Sequence, residues 1–479
     1  MAETPESGEI DLDDRTLRRH LITISDYVRS VAAPVTRDLS RREADALLRS
    51  YLEPDCFPEA VRRLSVRHLL VLVGEEETGK RSGAMALLSR MSLADGDAIT
   101  VLSPARTAAE LLSRTEYEPG RAYLLHDWIT ESTDRVELVN LARKLAELGS
   151  YLVITRNGAP SQAVEVEQPW SAPDPGELFD FCLRTYDVRA VRTPEELARA
   201  RDLALVLPTP AEVVSLATRL AQGEEPAGEQ VAAWFDTKPP LHEVREAAAL
   251  AFLHGAAEPV FERQFARLER ICQTHEKRGP RPAGAPHPLI GFHEGRVGFL
   301  APHHRGQVLA ELVGRYGFWL WQPLREWVRS LPLEGLEESV RASEGVASLA
   351  AYSLGEVREE FLEVWARGGG AEPLAAGNAL SYMCADDTLA PEALRLALAW
   401  ADEPGDPRAA AAAVALGGGL SVRYPVDALR HLRRLASCDG PVATVARGSL
   451  ALLLRQAGKR DDAHARTLIA LAATTATGS

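Results

Sequence analysis

The run from Leu69 to Met91, LLVLVGEEETGKRSGAMALLSRM, constrains this chain more than any other. An unbroken apolar stretch ends in Gly74. A four-residue spacer leads to Gly79 and Lys80, and a segment of helical character follows. Strand, glycine-bounded loop and helix with the spacing G-x-x-x-x-G-K form the pattern of a phosphate-binding loop. Glycines let the backbone wrap an anion with its N–H groups pointing inward. The helix N-terminus adds partial positive charge, and the lysine reaches the terminal phosphates. The candidate contacts are Gly74, Thr78, Gly79 and Lys80, with Arg81 and Ser82 opening the helix.

The motif departs from its usual form in two places. The residue after the lysine normally carries a hydroxyl that holds Mg²⁺, and here it is Arg81. Ser82 is the remaining candidate hydroxyl for the metal, one step of about 100° further round the helix. Glu75, Glu76 and Glu77 also place negative charge in a loop suited to anions.

Further apolar runs at 98–102, 122–125 and 151–154 alternate with helical patterns at 80–91, 107–112 and 135–148. Continuous apolar strands alternating with helices predict a parallel sheet covered on both faces. Ligands of such sheets sit at the carboxyl ends of the strands, where this loop lies. The third strand ends in YLLHDW, which puts Asp127 where an acid holding Mg²⁺ belongs, and Glu131 follows within about one helical turn as a candidate water-positioning group. The fourth strand ends in YLVITRN, with Thr155 and Arg156 at its tip, where a polar group can sense a terminal phosphate. The plainer alternatives are a turn-capping role for Asp127 and a solvent-facing loop role for Arg156.

Phosphate loop, His126-Asp127-Trp128 and Thr155-Arg156 together resemble the nucleotide-binding core of STAND-type signal-transduction ATPases, relatives of AAA+ proteins. His126 stands where that family often carries a first acid. The resemblance implies an α/β P-loop NTPase core followed by an all-α lid, a winged helix and an α-helical repeat domain. It implies ATP or ADP as ligand with Mg²⁺ held by Asp127 and Ser82, and at most slow ATP hydrolysis using Asp127, Glu131 and Arg156. It also implies a clamp residue just after the hairpin of the winged helix. Ala301-Pro302-His303-His304 occupies that place, so His303 is the candidate contact to the diphosphate.

The remaining sequence is divided accordingly. Residues 1–14 are acidic and expected to be disordered. Residues 15–60 carry amphipathic helices, 61–175 the nucleotide-binding core and 176–235 the helical lid, in which Thr209 and Glu212 have capping-box spacing. Residues 236–315 hold two helices, a linker at 277–288, a hairpin turning at Glu294-Gly295 and a third helix, the content of a winged helix. Residues 316–479 show amphipathic helices between short breakers at intervals of about 35 residues, a HEAT- or TPR-like array. Trp319, Trp321 and Trp327 form an aromatic stripe expected to be core.

Composition narrows the function classes. The 479 residues carry a net charge of −14, which argues against a general nucleic-acid coat. The five scattered cysteines read as free thiols of a reducing cytosol, no stretch is long and apolar enough to span a membrane, and a cytoplasmic location is expected. The expected partner is a protein bound by the helical repeats, with self-assembly a further expectation of the resemblance. Two alternatives stand beside the nucleotide switch. One is a nucleotide-independent pseudo-ATPase scaffold, which Arg81, the glutamate run and His126 favour. The other is a DNA-binding transcriptional regulator acting through the winged helix.

Overall fold

The structure is a computed structural model that describes residues 15–31, 38–91, 98–113, 116–129, 135–160, 166–187, 193–221, 229–275, 287–301 and 303–458. The expected acidic tail, most of the linker at 277–288, and Glu131 lie outside the described residues. The chain divides into two compact units, Val35–Pro226 and Met1–Pro34 with Ala227–Ser479. Its first described element, α1 (Arg15–Val31), belongs to the second unit.

Val35–Pro226 is built on a six-stranded sheet with the order β1-β3-β4-β5-β2-β6. The strands are β1 (Asp38–Leu39), β2 (Leu69–Gly74), β3 (Ile99–Leu102), β4 (Ala122–Leu125), β5 (Tyr151–Asn157) and β6 (Glu167–Pro169). All neighbours run parallel except β1, which is antiparallel to β3. Every residue of β2 is buried, which is why its sequence reads as one apolar run rather than an alternation. Its side chains divide between two cores. Leu70 and Leu72 pack with α2 (Arg41–Leu47), α3 (Phe57–Arg67) and α4 (Lys80–Met91). Leu69, Val71 and Val73 pack with α5 (Ala108–Ser113) and α6 (Arg135–Leu148) on the opposite face. Fully burying each such side chain contributes about 1.5–3 kcal/mol, which anchors β2 between the two cores.

The four expected strands are present, and two more join them. Leu39 is drawn into β1, and Ser40 caps α2 in a reciprocal box with Glu43. Strand β6, from a segment without an apolar run, pairs with β2 and brings polar residues to the sheet. Pro169 lacks an N–H and is tolerated there because β6 is an edge strand. Beyond the sheet, α7 (Pro175–Thr185), α8 (Pro194–Ala204) and α9 (Pro210–Ala221) share one core around Phe179, Cys182, Leu216 and Leu220. The Thr209 hydroxyl accepts from the Glu212 N–H at 3.2 Å, as the capping spacing predicts.

The second unit continues with α10 (Glu229–Asp236), α11 (Leu241–Leu253) and α12 (Glu258–His275). A hairpin follows, β7 (Ile290–His293) and β8 (Arg296–Phe299), then α13 (His304–Arg315), α14 (Phe318–Ser330) and α15 (Leu336–Ala350). Next come α16 (Leu354–Glu356), a π-helical turn (Val357–Leu362), α17 (Glu363–Arg367), α18 (Glu372–Met383), α19 (Ala390–Ala401), α20 (Arg408–Gly417), α21 (Gly419–Arg423), α22 (Pro425–Ala436) and α23 (Pro441–Ala457). The hairpin turns where expected, with Glu294 and Gly295 at φ of 50° and 73°, the left-handed pair such a two-residue turn needs.

These helices stack in two rows. In one, α11, α15, α18, α20 and α23 pack in succession. Their axes come close because small residues sit at the crossings: a β-carbon on Gly345 would lie 2.6 Å from Phe252 Cα, and one on Gly377 would lie 2.7 Å from Val414 Cβ. In the other row indole donors tie each helix to the one before. Trp327 donates to the Gln264 carbonyl at 3.0 Å, Trp365 to the Arg329 carbonyl at 3.0 Å and Trp400 to the Glu363 carboxylate at 3.2 Å. Trp321 and Trp327 are buried, in keeping with the core reading of the aromatic stripe.

The stack begins at α11, earlier than residue 316, since α11 packs on α15 and α12 on α14. Helix α10 packs on α13. The helices of 15–60 also part company: α2 and α3 cover the sheet, while α1 packs on α18 and α21, with the Tyr27 ring 5.8 Å from that of Tyr382. No described helix is long and apolar enough to cross a membrane.

Candidate functional site

The sheet order decides which side chains meet. Strand β5 lies between β2 and β4, so the tips of these three neighbours form one continuous edge. That edge carries the glycine-bounded loop, Thr155 and Arg156, and Asp127. Chain connections leave β2 toward β3 on one side, while β6 is added on its other side. This is the kind of switch point where open α/β sheets leave a crevice.

Within the loop the two motif glycines have different reasons. Gly79 sits at φ 80°, where a side chain would be strained. Gly74 has ordinary φ, but a β-carbon there would lie 2.3 Å from the Trp170 carbonyl oxygen. That closeness follows from the β2–β6 pairing, in which the Trp170 N–H donates to the Val73 carbonyl at 2.8 Å. Glu75, Glu76 and Glu77 are exposed, so the acids of the loop point to water.

Lys80 is 4% exposed. Its ammonium folds back over the loop, donating to the Gly74 carbonyl at 3.1 Å, to the Glu75 carbonyl, and to Thr78 Oγ1 at 3.4 Å. Burial pushes its pKa down from the ordinary lysine range, opposed by the charges of Asp127 and Glu76. The lysine is thus a partly desolvated cation hydrogen-bonded to neutral oxygens.

Asp127 is held from three directions. Its backbone has φ 47°, a left-handed conformation that aspartate tolerates better than most residues. Its N–H donates to Thr155 Oγ1 at 2.7 Å, and the Trp128 N–H donates to the Thr155 carbonyl at 2.8 Å. Its carboxylate Oδ2 accepts from Arg81 Nε at 2.6 Å and also from Nη2. Both partners are largely shielded, with 26% and 15% of their side chains exposed. Arg81 therefore occupies the carboxylate to which the sequence assigned a metal.

Mg²⁺ does not fit these residues as they stand. The motif hydroxyl is replaced by Arg81, and the guanidinium of Arg81 engages Asp127. No group of three or more His, Cys, Asp or Glu side chains is placed to hold a metal among the described residues. Ser82 is half-buried, one place further along α4.

Arg156 donates to Glu167 Oε1 at 2.8 Å, and only 2% of the Glu167 side chain is exposed. The Glu167 carbonyl takes a further bond from Arg63 at 2.8 Å. The sequence reading missed Glu167 and Trp170. Two buried groups within the short EQPW segment were the available signal, but they read as polar loop. His303 belongs to the other unit, exposed at the start of α13, with its ring 4.8 Å from that of His304. His304 is the buried member of the pair, and burial lowers its pKa.

The helices around the hairpin give little support to a groove-reading face. Arg263 and Arg267 of α12 pair with Glu338 and Glu334, and Arg245 of α11 lies 3.6 Å from Glu269. These cations hold the stack together. All five cysteines are free thiols; Cys182, Cys272 and Cys384 are buried, and Cys56 and Cys438 are half-buried.

No family model and no curated protein matches the chain. Among solved structures, that of PCH-2 from C. elegans aligns at 10% identity, over 45% of this chain and 72% of that chain, with a TM-score of 0.21. A likeness at that level carries no argument. The fold itself, a mostly parallel α/β sheet with helical parts, fits a P-loop-like core.

Proposed function

We propose that this chain is a nucleotide-responsive switch or scaffold of the STAND kind. Its loop Gly74–Lys80 takes the phosphates of ATP or ADP, and its two-row helical stack offers surface to a protein partner. The observation that carries the reading is Lys80, a buried ammonium at the carboxyl edge of a parallel sheet, bonded to loop carbonyls. A desolvated cation gains most from an anion, because the interaction strengthens as the surroundings lose water. The N–H groups opening α4 add to that attraction.

Turnover is a small part of this function. Asp127 is engaged by Arg81 and Arg156 by Glu167, so neither carboxylate nor guanidinium stands ready for water activation or phosphate sensing in the resting arrangement. The phosphates act as an occupancy signal: they draw Lys80 off the Gly74 and Glu75 carbonyls, and the loop reorders around them.

The test is to purify the chain, denature it and identify any released nucleotide by chromatography. ATP or ADP is expected in the wild type and its loss in Lys80→Ala. A nucleotide-free wild type that also fails to take up added ATP or ADP would overturn the reading.

A further inference from the structure

We infer that the phosphate site works without a divalent cation, with Arg81 taking the place of Mg²⁺ beside the β4 carboxylate; the inference rests on the nucleotide reading above. In the usual arrangement a hydroxyl after the lysine and an acid at the end of a neighbouring strand share the metal, which then neutralises the phosphates. Here the chain supplies its own cation at that junction. Arg81 follows Lys80 directly, and its Nε and Nη2 engage Asp127 Oδ2. A guanidinium is always charged, and its fork of donors matches carboxylate and phosphate oxygens alike. It can therefore bridge Asp127 and a phosphate oxygen as a metal would.

The backbone that carries this carboxylate is also held in place. Asp127 is fixed by its left-handed φ of 47° and by the 2.7 Å bond from its N–H to Thr155 Oγ1, and Thr155 is fully buried. A divalent ion entering this edge would have to compete with Arg81 for the Asp127 carboxylate. The ligand class that follows is a magnesium-free nucleoside diphosphate or triphosphate, recognised by two side-chain cations and the loop N–H groups.

The test is a titration of the full chain with a fluorescent ADP analogue, in Mg²⁺ and in EDTA, beside Arg81→Ser. For the wild type the two dissociation constants are expected to agree within about twofold. Arg81→Ser restores the motif hydroxyl and releases Asp127. Its affinity is expected to fall by about tenfold or more in EDTA and to recover with Mg²⁺. A wild type that loses about tenfold or more in EDTA overturns the inference and leaves the nucleotide reading intact. An Arg81→Ser protein that binds as tightly as wild type in EDTA also overturns it. No binding in either condition overturns both. The wild-type comparison needs no variant, so misfolding of Arg81→Ser leaves the inference open to refutation.

Discussion

Gly83 and Lys80 lie one turn apart on α4, yet only one of them was readable. The lysine announced itself by its spacing from Gly74 and Gly79. The glycine carries no motif spacing, and its reason lies in a residue far along the chain. A β-carbon on Gly83 would sit 2.1 Å from Trp170 Cζ2. Replacing a helical glycine with alanine ordinarily stabilises by about 0.5–1 kcal/mol. Here overpacking against the indole reverses the sign, and Gly83→Ala is expected to destabilise by about 1–3 kcal/mol in chemical denaturation. A gain in stability would contradict the packing. The same lesson holds at Asp127. Its strand-end position was legible, but its pairing with Arg81 was not, because the two are adjacent only through the sheet order. Glu131 falls outside the described residues, so its proposed role rests on spacing alone.

At the scale of elements, the strands and helices with strong apolar patterns were legible, and the short polar ones were not. Strand β6 escaped because its residues, Glu167, Gln168 and Pro169, form no apolar run. Removing Arg156 takes away a guanidinium that bonds the buried Glu167 carboxylate at 2.8 Å. Arg156→Ala is therefore expected to cost about 3 kcal/mol of stability in the absence of any nucleotide. If Arg156 served only to sense phosphate, nucleotide-free stability would not change. In the helical stack, the recurrence near 35 residues was visible as breakers, while its structural content is a tryptophan row. Trp365 donates to a carbonyl 36 residues upstream and Trp400 to a carboxylate 37 residues upstream. Trp365→Phe keeps the ring but deletes the donor. It is expected to cost about 1 kcal/mol, read as a lower denaturation midpoint with unchanged helix content.

At the scale of the whole molecule, the two units should respond differently to acid. His254, His287, His304 and His431 all lie in the second unit, and burial lowers the pKa of each below the ordinary histidine range. Their neutral forms are favoured in the folded state. The unfolded chain binds more protons once the pH falls below about 6.5, so the stability these groups contribute is present above that pH and lost below it. Calorimetry of the full chain should show the second unit's transition moving down as pH falls from about 7 to about 5, and little changed from about 7 to about 8. A transition that rises with acid would contradict the burial of these rings. The sheet-bearing stretch and the helical stretches were legible in outline. The assignment of α1 to the second unit was not, because an amphipathic pattern states that a face is buried without saying against what.

The most direct measurement is thermal melting of the purified chain with and without ADP, beside Lys80→Ala. A ligand present at 100 times its dissociation constant stabilises the folded state by about 2.7 kcal/mol. The account predicts a rise of several degrees in the wild type, equal in Mg²⁺ and in EDTA, and none in Lys80→Ala. An unchanged wild-type transition, in protein freed of bound nucleotide, would contradict the central claim and leave the loop as a packing element between β2 and α4.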